Sequence, residues 1–284
     1  MTSCGRLLYE KLQEWIRDDS PYGDVTTMYS IERNVNTKGI VVAKSSGVAA
    51  CIDEVVEALH YAGMKAVKGV WSGEVFNPRD MIIEVEGNAH DILLFERTLL
   101  NFLMYLSGIA TSTRKLVEVA SKINPRIRIA STRKYPPGLS CFAKVAVRQG
   151  GGDTHRFGLS DAILIKDNHK ILAGGLLEAV KKAKEKASFM EKIEVEVNSV
   201  EEALKVARAG VDAIMFDNMR PGEISLAVEK LVEMGVRRRM ILEVSGGINE
   251  GNIKDYASLD IDVISTSSIT MRPERIDLSL EVIQ

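Results

Sequence analysis

The chain has 284 residues, 45% of them hydrophobic and 27% charged, with a formal net charge of −2 and only 7 prolines. That length can bury one large core or be split into two domains, and nothing in the composition resembles a disordered tail or low-complexity linker. Near-neutral charge without a long basic block or aromatic–basic alternation argues against a nucleic-acid partner. The first residues show no basic stretch leading into an apolar one, so no secretory signal is expected. An apolar stretch around residues 92–109 is interrupted by Glu96, Arg97 and Asn101, which argues against a membrane span. Cys4, Cys51 and Cys141 have no metal-ligand spacing and read as reduced packing residues of a cytoplasmic protein.

Taken in chain order, Leu7, Leu8, Leu12, Trp15 and Ile16 share one stripe of a helix. Residues 39–44 and 81–86 read as strands, with a helix near 52–62 between them. Residues 91–106 form a strongly apolar helix, predicted to break near Gly108 before a second helix through residue 123. Gly108 is then a hinge between domains or a simple kink. From residue 126 the pattern changes: β-branched runs occur at 127–130, 162–165, 193–197, 213–216, 240–244 and 263–265, and most are separated by segments of helical period such as 201–209 and 223–234. Strands alternating with helices imply parallel pairing, closed into a barrel or doubly wound. The absence of a Gly-rich dinucleotide fingerprint after a first strand disfavours the doubly wound nucleotide-binding option.

The polar residues fall where these strands end. Successive runs exit into Thr132-Arg133-Lys134, Lys166-Asp167-Asn168, Asn198 (after Glu194 and Glu196), Asp217-Asn218, Ser245-Gly246-Gly247 and Thr266-Ser267-Ser268. In an α/β barrel those ends share one rim, where such folds build active sites. Arg133, Lys134, His155, Arg156 and Lys166 are too many cations for a packed core. Like charges gathered in a near-neutral chain imply a site for a small, multiply charged anion.

Each residue type narrows the chemistry. Lys166 follows the buried run Ala-Ile-Leu-Ile and faces the barrel mouth, where it binds phosphate, forms a Schiff base, or pairs structurally with Glu196. Glu194 and Glu196 point to the same interior side and need cationic or metal partners. Glu196 and Asp217, on consecutive strands, could share Mg²⁺, or belong to a carboxylate–lysine network that only holds the barrel together. Ser245-Gly246-Gly247 resembles an anion cradle, helped by a helix expected to start near Asn249 and completed by Thr266, Ser267 and Ser268. His155 and Arg156, after the glycines at 150–152, read as a clamp for carboxylates; His169 packs or caps the next helix, and His60 and His90 are structural. Arg97, a charge within an apolar helix, snorkels or reaches across a subunit interface. A Schiff-base aldolase or isomerase and a non-catalytic anion-binding barrel remain alternatives at this level.

The segments PYGDVTT (21–27), ERTLLNFL (96–103), SGIATSTRKLV (107–117), TRKYPPGL (132–139), GGGDTHRFGLSD (150–161), IKDNH (165–169), EVEV (194–197), MFDNM (215–219), EVSGGI (243–248) and DVISTSSIT (262–270) together resemble the quinolinate phosphoribosyltransferases, a type II phosphoribosyltransferase family. The resemblance implies an α/β fold: an N-terminal α/β sandwich over 1–108, an incomplete, open α/β barrel over 109–271, and a C-terminal stretch, 272–284, packing back onto the first. It implies a cytoplasmic homodimer or higher homo-oligomer that transfers phosphoribosyl from phosphoribosyl pyrophosphate to quinolinate with loss of CO₂, dependent on Mg²⁺. By the same resemblance, Arg133, His155 and Arg156, with Arg97 of a neighbouring subunit, hold the quinolinate carboxylates. Lys134 and Lys166 neutralise the two anions, Glu196 and Asp217 hold the metal, and Ser245, Gly246, Gly247, Ser265 and Thr266 take the 5′-phosphate. A paralogous family linked to molybdate transport shares the early PYGD, TRK and HR-GLSD motifs but lacks the intact IKDNH found here.

Overall fold

In the computed structural model, which describes residues 4–283, the chain begins as helix α1 (Cys4–Asp19), whose Leu8, Leu12 and Ile16 recur four apart and are buried. Leu7, expected on that stripe, is instead exposed, because it falls one position off the buried row. Helix α2 (Val25–Ser30) starts at Asp24, whose carboxylate accepts the Thr26 and Thr27 N–H groups. There follow β1 (Asn36–Ala43), the short β2 (Gly47–Val48), α3 (Ile52–Tyr61), β3 (Lys65–Lys68), the short β4 (Val75–Phe76), β5 (Met81–Asn88) and α4 (Ala89–Ser121). The chain continues through β6 (Arg128–Ser131), α5 (Ser140–Gln149), β7 (Ile163–Ile165), α6 (Asp167–Ala173), α7 (Leu176–Lys186), β8 (Ile193–Val197), α8 (Val200–Ala209), β9 (Ala213–Asp217) and α9 (Pro221–Glu233). It ends with β10 (Ile241–Ser245), α10 (Ile253–Ala257), β11 (Val263–Thr266), α11 (Ser268–Met271) and β12 (Leu278–Ile283).

These elements divide into two compact units. The first takes in the described residues of Met1–Arg114, Pro137–Gly151 and Pro273–Gln284; the second holds Lys115–Pro136 and Gly152–Arg272. In the first, an antiparallel sheet of order β12-β1-β5-β3 forms because the strands alternate more and less buried residues, as in β1, where Gly39, Val41 and Ala43 are buried and Ile40 and Val42 between them are half-buried. Its last strand comes from the far end of the sequence, Leu278 pairing with Ala43 and Ile283 with Lys38.

Helix α4 departs from expectation: it runs unbroken for 33 residues through Gly108. That glycine is a close-approach residue rather than a hinge, since a Cβ there would lie 2.4 Å from the Glu274 carbonyl oxygen. The helix is long and apolar enough to cross a membrane by length and composition alone. Ile92, Leu99, Leu100, Leu103, Leu106 and Ile109 are nevertheless each no more than 3% exposed, so its apolar side is core. Cys4 and Cys141, far apart in sequence, bring their sulfurs to 3.3 Å in this unit as free thiols.

The second unit is a parallel six-stranded sheet of order β6-β11-β10-β9-β8-β7, with helices between successive strands. All five residues of β8 are buried, the mark of a strand covered on both faces. Strands β6 and β7 lie at opposite ends of that order and do not pair, so the barrel stays open among the described residues. Ser199 caps α8 by accepting the Glu202 N–H, and Pro221 occupies the first turn of α9; both devices end the loops that leave the strands.

Candidate active site

Parallel strands that share a direction put all their C-terminal ends on one edge, and the side chains there converge. A cavity of about 500 Å³ opens at that edge of the second unit. Arg133, Lys134, His155, Arg156, Lys166, Glu196, Asp217, Ser245, Gly246, Gly247, Ser265 and Thr266, all expected at the site, line it. Arg97 is not among its lining residues; it lies in the first unit, beside Trp15, Asp19, Asn101 and Tyr105 around a separate hollow of about 400 Å³.

Each side chain is set by its strand end. Lys166 leaves β7 in extended conformation and its ammonium rests on the Glu196 carboxylate, which stands on the neighbouring strand β8. His169 Nδ1 accepts the Lys166 backbone N–H at 2.9 Å, so His169 caps α6. Asp217 closes β9 and accepts a bond of 2.7 Å from the Asn218 side-chain amide. Asn218 is itself in the left-handed region (φ 54°), a conformation that asparagine tolerates better than most residues.

The glycine turn after β10 is built for a ligand's approach. Gly246 has φ 96°, and a Cβ there would strike Asn218 Oδ1 at 2.3 Å; Gly247 has φ 65° and nothing within 4 Å of a built Cβ. Across from it, the Thr266 hydroxyl donates to the Ile248 carbonyl at 2.6 Å, tying β11 to the turn. The helix expected near Asn249 starts only at Ile253 and has five residues, because Asn249 and Asn252 spend their side chains on the turn's own backbone. The cradle therefore consists of backbone amides and hydroxyls, without a helix dipole.

The electrostatics confirm crowding of like charge. Burial, and then the neighbouring Arg133, pull Arg156 below its ordinary pKa, as expected of two guanidinium groups that share a cleft. The cavity's floor carries the opposite sign. His155 Nε2 lies 3.2 Å from Glu194 and 3.1 Å from Glu243, and Glu243 is 2% exposed. Burial lowers the His155 pKa and its bonds to the two carboxylates raise it, while Nδ1 accepts the Arg156 backbone N–H at 2.7 Å and so leaves no place for a second ring proton. Burial pushes the Glu243 carboxyl up, against the pull of His155. The ligand atoms of His155, Glu194 and Glu243 lie within 4.8 Å of one another, a closeness that a shared imidazole proton explains without an ion. Thr132, Asn218 and Ser267, read from the sequence at the strand exits, also line the cavity, as does Glu243, which was not singled out as a ligand. Glu243 had a legible signal: it alternates with Ser245 on β10 and so shares its interior face.

A parallel barrel whose open edge gathers cations around a glycine cradle defines an anion-handling α/β enzyme site. Residues 24–107 match the model of the quinolinate phosphoribosyl transferase N-terminal domain, and residues 109–281 that of the C-terminal domain. The chain is 43% identical over 276 residues to a probable carboxylating nicotinate-nucleotide pyrophosphorylase of Methanocaldococcus jannaschii, covering 96% of each chain. It is 41% identical to the protein of the same description from Methanothermobacter thermautotrophicus, covering 95% of this chain and 97% of the relative. The solved nicotinate-nucleotide pyrophosphorylase of Francisella tularensis superposes with a TM-score of 0.88 at 34% identity, covering 98% of this chain and 97% of the other. The chain belongs to the quinolinate phosphoribosyl transferase family.

Proposed function

We propose that the cavity joins quinolinate to phosphoribosyl pyrophosphate, releasing pyrophosphate and CO₂ and forming nicotinate mononucleotide, as the carboxylating step of pyridine-nucleotide biosynthesis. The observation that carries this reading is the placement of Arg133, Lys134, Arg156 and Lys166 around one cavity that also holds the Gly246–Gly247 cradle. Two polyanions must meet there, and four fixed cations offset their mutual repulsion. Arg133 and Arg156 suit the two ring carboxylates, since guanidinium pairs bidentately with carboxylate. The turn at Ser245, Gly246 and Gly247, with Ser265 and Thr266, takes the 5′-phosphate through backbone amides and hydroxyls. Lys134 and Lys166 face the charge that leaves with pyrophosphate.

The ring nitrogen of quinolinate then attacks the anomeric carbon as its bond to pyrophosphate breaks. The ring becomes cationic, the carboxylate beside the nitrogen departs as CO₂, and its electron pair is held by that cation until a proton is taken up. No protein nucleophile enters this sequence; the chain supplies proximity and electrostatics. The donor set fits a hard divalent cation, because Glu196 and Asp217 offer oxygens from adjacent strands and Mg²⁺ is commonly held by one or two carboxylates plus substrate phosphates. Bound there, Mg²⁺ supplies positive charge for the pyrophosphate leaving group.

Arg97, outside this cavity, serves the site of a neighbouring subunit in a cytoplasmic homodimer or larger assembly. Mixing inactive Arg97→Ala and Lys166→Ala chains should restore activity at one site per pair; mixtures that stay inactive contradict the shared site. The activity itself is tested by incubating the protein with quinolinate, phosphoribosyl pyrophosphate and Mg²⁺ while following nicotinate mononucleotide and CO₂. Product without CO₂ from nicotinate in place of quinolinate would overturn the substrate assignment, and product formation indifferent to chelation would overturn the metal.

A further inference from the structure

Both nitrogens of His155 are engaged within the protein. Nε2 faces Glu243 at 3.1 Å and Glu194 at 3.2 Å, while Nδ1 accepts the backbone N–H of Arg156 at 2.7 Å. An accepting Nδ1 carries no proton, so the ring's N–H lies on Nε2, pointed at the carboxylates. His155 is held in the left-handed region (φ 53°), and the Asp153 carboxylate accepts its backbone N–H at 2.8 Å. A non-glycine residue keeps such a backbone only where its surroundings enforce it. The Arg156 guanidinium, anchored on the Ala162 carbonyl, borders the cavity.

We propose that Glu243 is a positioning residue. With Glu194 it fixes the His155 ring through Nε2, and the ring in turn fixes the Arg156 backbone, so that the guanidinium meets a substrate carboxylate at a set place. Glu243 stands behind the ring on β10, buried, and acts through His155 rather than on the substrate. The arrangement explains why a site for anions keeps two glutamates against its histidine: they hold an imidazole whose other nitrogen orients an arginine. This rests on the proposed use of quinolinate, and the test below separates the two.

Glu243→Leu removes the acceptor, and Glu243→Gln retains a carbonyl oxygen that can still take the Nε2–H. The expected result for Glu243→Leu is a rise of about tenfold in KM for quinolinate, with KM for phosphoribosyl pyrophosphate unchanged within about twofold and most of the loss recovered by Glu243→Gln. Independently of activity, ¹⁵N-histidine spectra of the protein, which has 4 histidines, should show a protonated Nε2 and a bare Nδ1 for the signal lost in His155→Gln. A proton on Nδ1, unchanged quinolinate KM in Glu243→Leu, or equal rises in both KM values would overturn the proposal. Should Glu243→Leu fail to fold, the tautomer in the wild-type protein decides alone. A wild type that makes no nicotinate mononucleotide would instead sink the functional reading and leave the tautomer result standing.

Discussion

In the antiparallel sheet of the first unit, Lys38 lies 3.4 Å from both Glu84 and Glu86, Lys65 meets Glu86 at 3.1 Å, and Lys44 reaches Glu281 across to β12. Each cation has a carboxylate on the strand beside it, out in solvent. At the open edge of the second unit the arrangement differs: Arg133 and Arg156 crowd one another around a cavity, while Glu196 is taken by Lys166 and Glu243 by His155. The same residue types thus serve two purposes. Paired across a wet sheet they add little to stability; gathered at one edge and left partly uncompensated, they create a field that an anionic ligand must complete. Elsewhere in the second unit, buried cations are fully matched, as Lys170 is by Asp167 and Glu202 and Arg237 by Asp260 and Asp262, so crowding is particular to the rim.

Substitutions can break this contrast, starting with the largest effect. Lys166→Ala should cost ~10³-fold in turnover, by removing a donor to developing charge and leaving Glu196 without its ammonium. Steady-state kinetics with both substrates saturating would show it, and an active variant would remove Lys166 from the chemistry. Arg133→Ala should weaken quinolinate use by an amount on the order of 2–4 kcal/mol in transition-state binding; wild-type kcat/KM in that variant contradicts the assignment. Gly246→Ala should raise KM for phosphoribosyl pyrophosphate about tenfold, since the new Cβ meets Asn218 and the backbone turns strained at φ 96°. An unaltered KM there would separate the glycine turn from the phosphate.

The smallest effect belongs to the first unit, where Lys38→Ala should leave both kinetics and unfolding midpoint almost unchanged.

Much of the rim was legible because β-strands in parallel sheets read as short apolar runs, and the residue following each run is placed by the fold. Lys166, Asp217 and the Ser245–Gly247 turn were located that way, each within a residue of its strand end. Helix α5 was not foreseen: Phe142, Ala143, Ala146 and Val147 carry a helical stripe, but the helix is only ten residues long, between Pro136-Pro137-Gly138 and the glycines at 150–152. Strand β12 was missed as a strand since its partner β1 lies more than two hundred residues away and its outer residues are exposed. Gly108 misled for a different reason: a helix glycine signals either a kink or a close neighbour, and only the approach of Glu274 decides between them. The tie between His155 and Glu243 was hidden because it joins a loop to a strand with no local pattern linking them.

The most direct measurement is a crystal structure with quinolinate, Mg²⁺ and an unreactive carbocyclic analogue of phosphoribosyl pyrophosphate. The account expects both anions in the single cavity at the strand ends, ring carboxylates on Arg133 and Arg156 and the 5′-phosphate on Gly246 and Gly247. Either anion seated elsewhere, or the two in separate sites too distant to react, would contradict it.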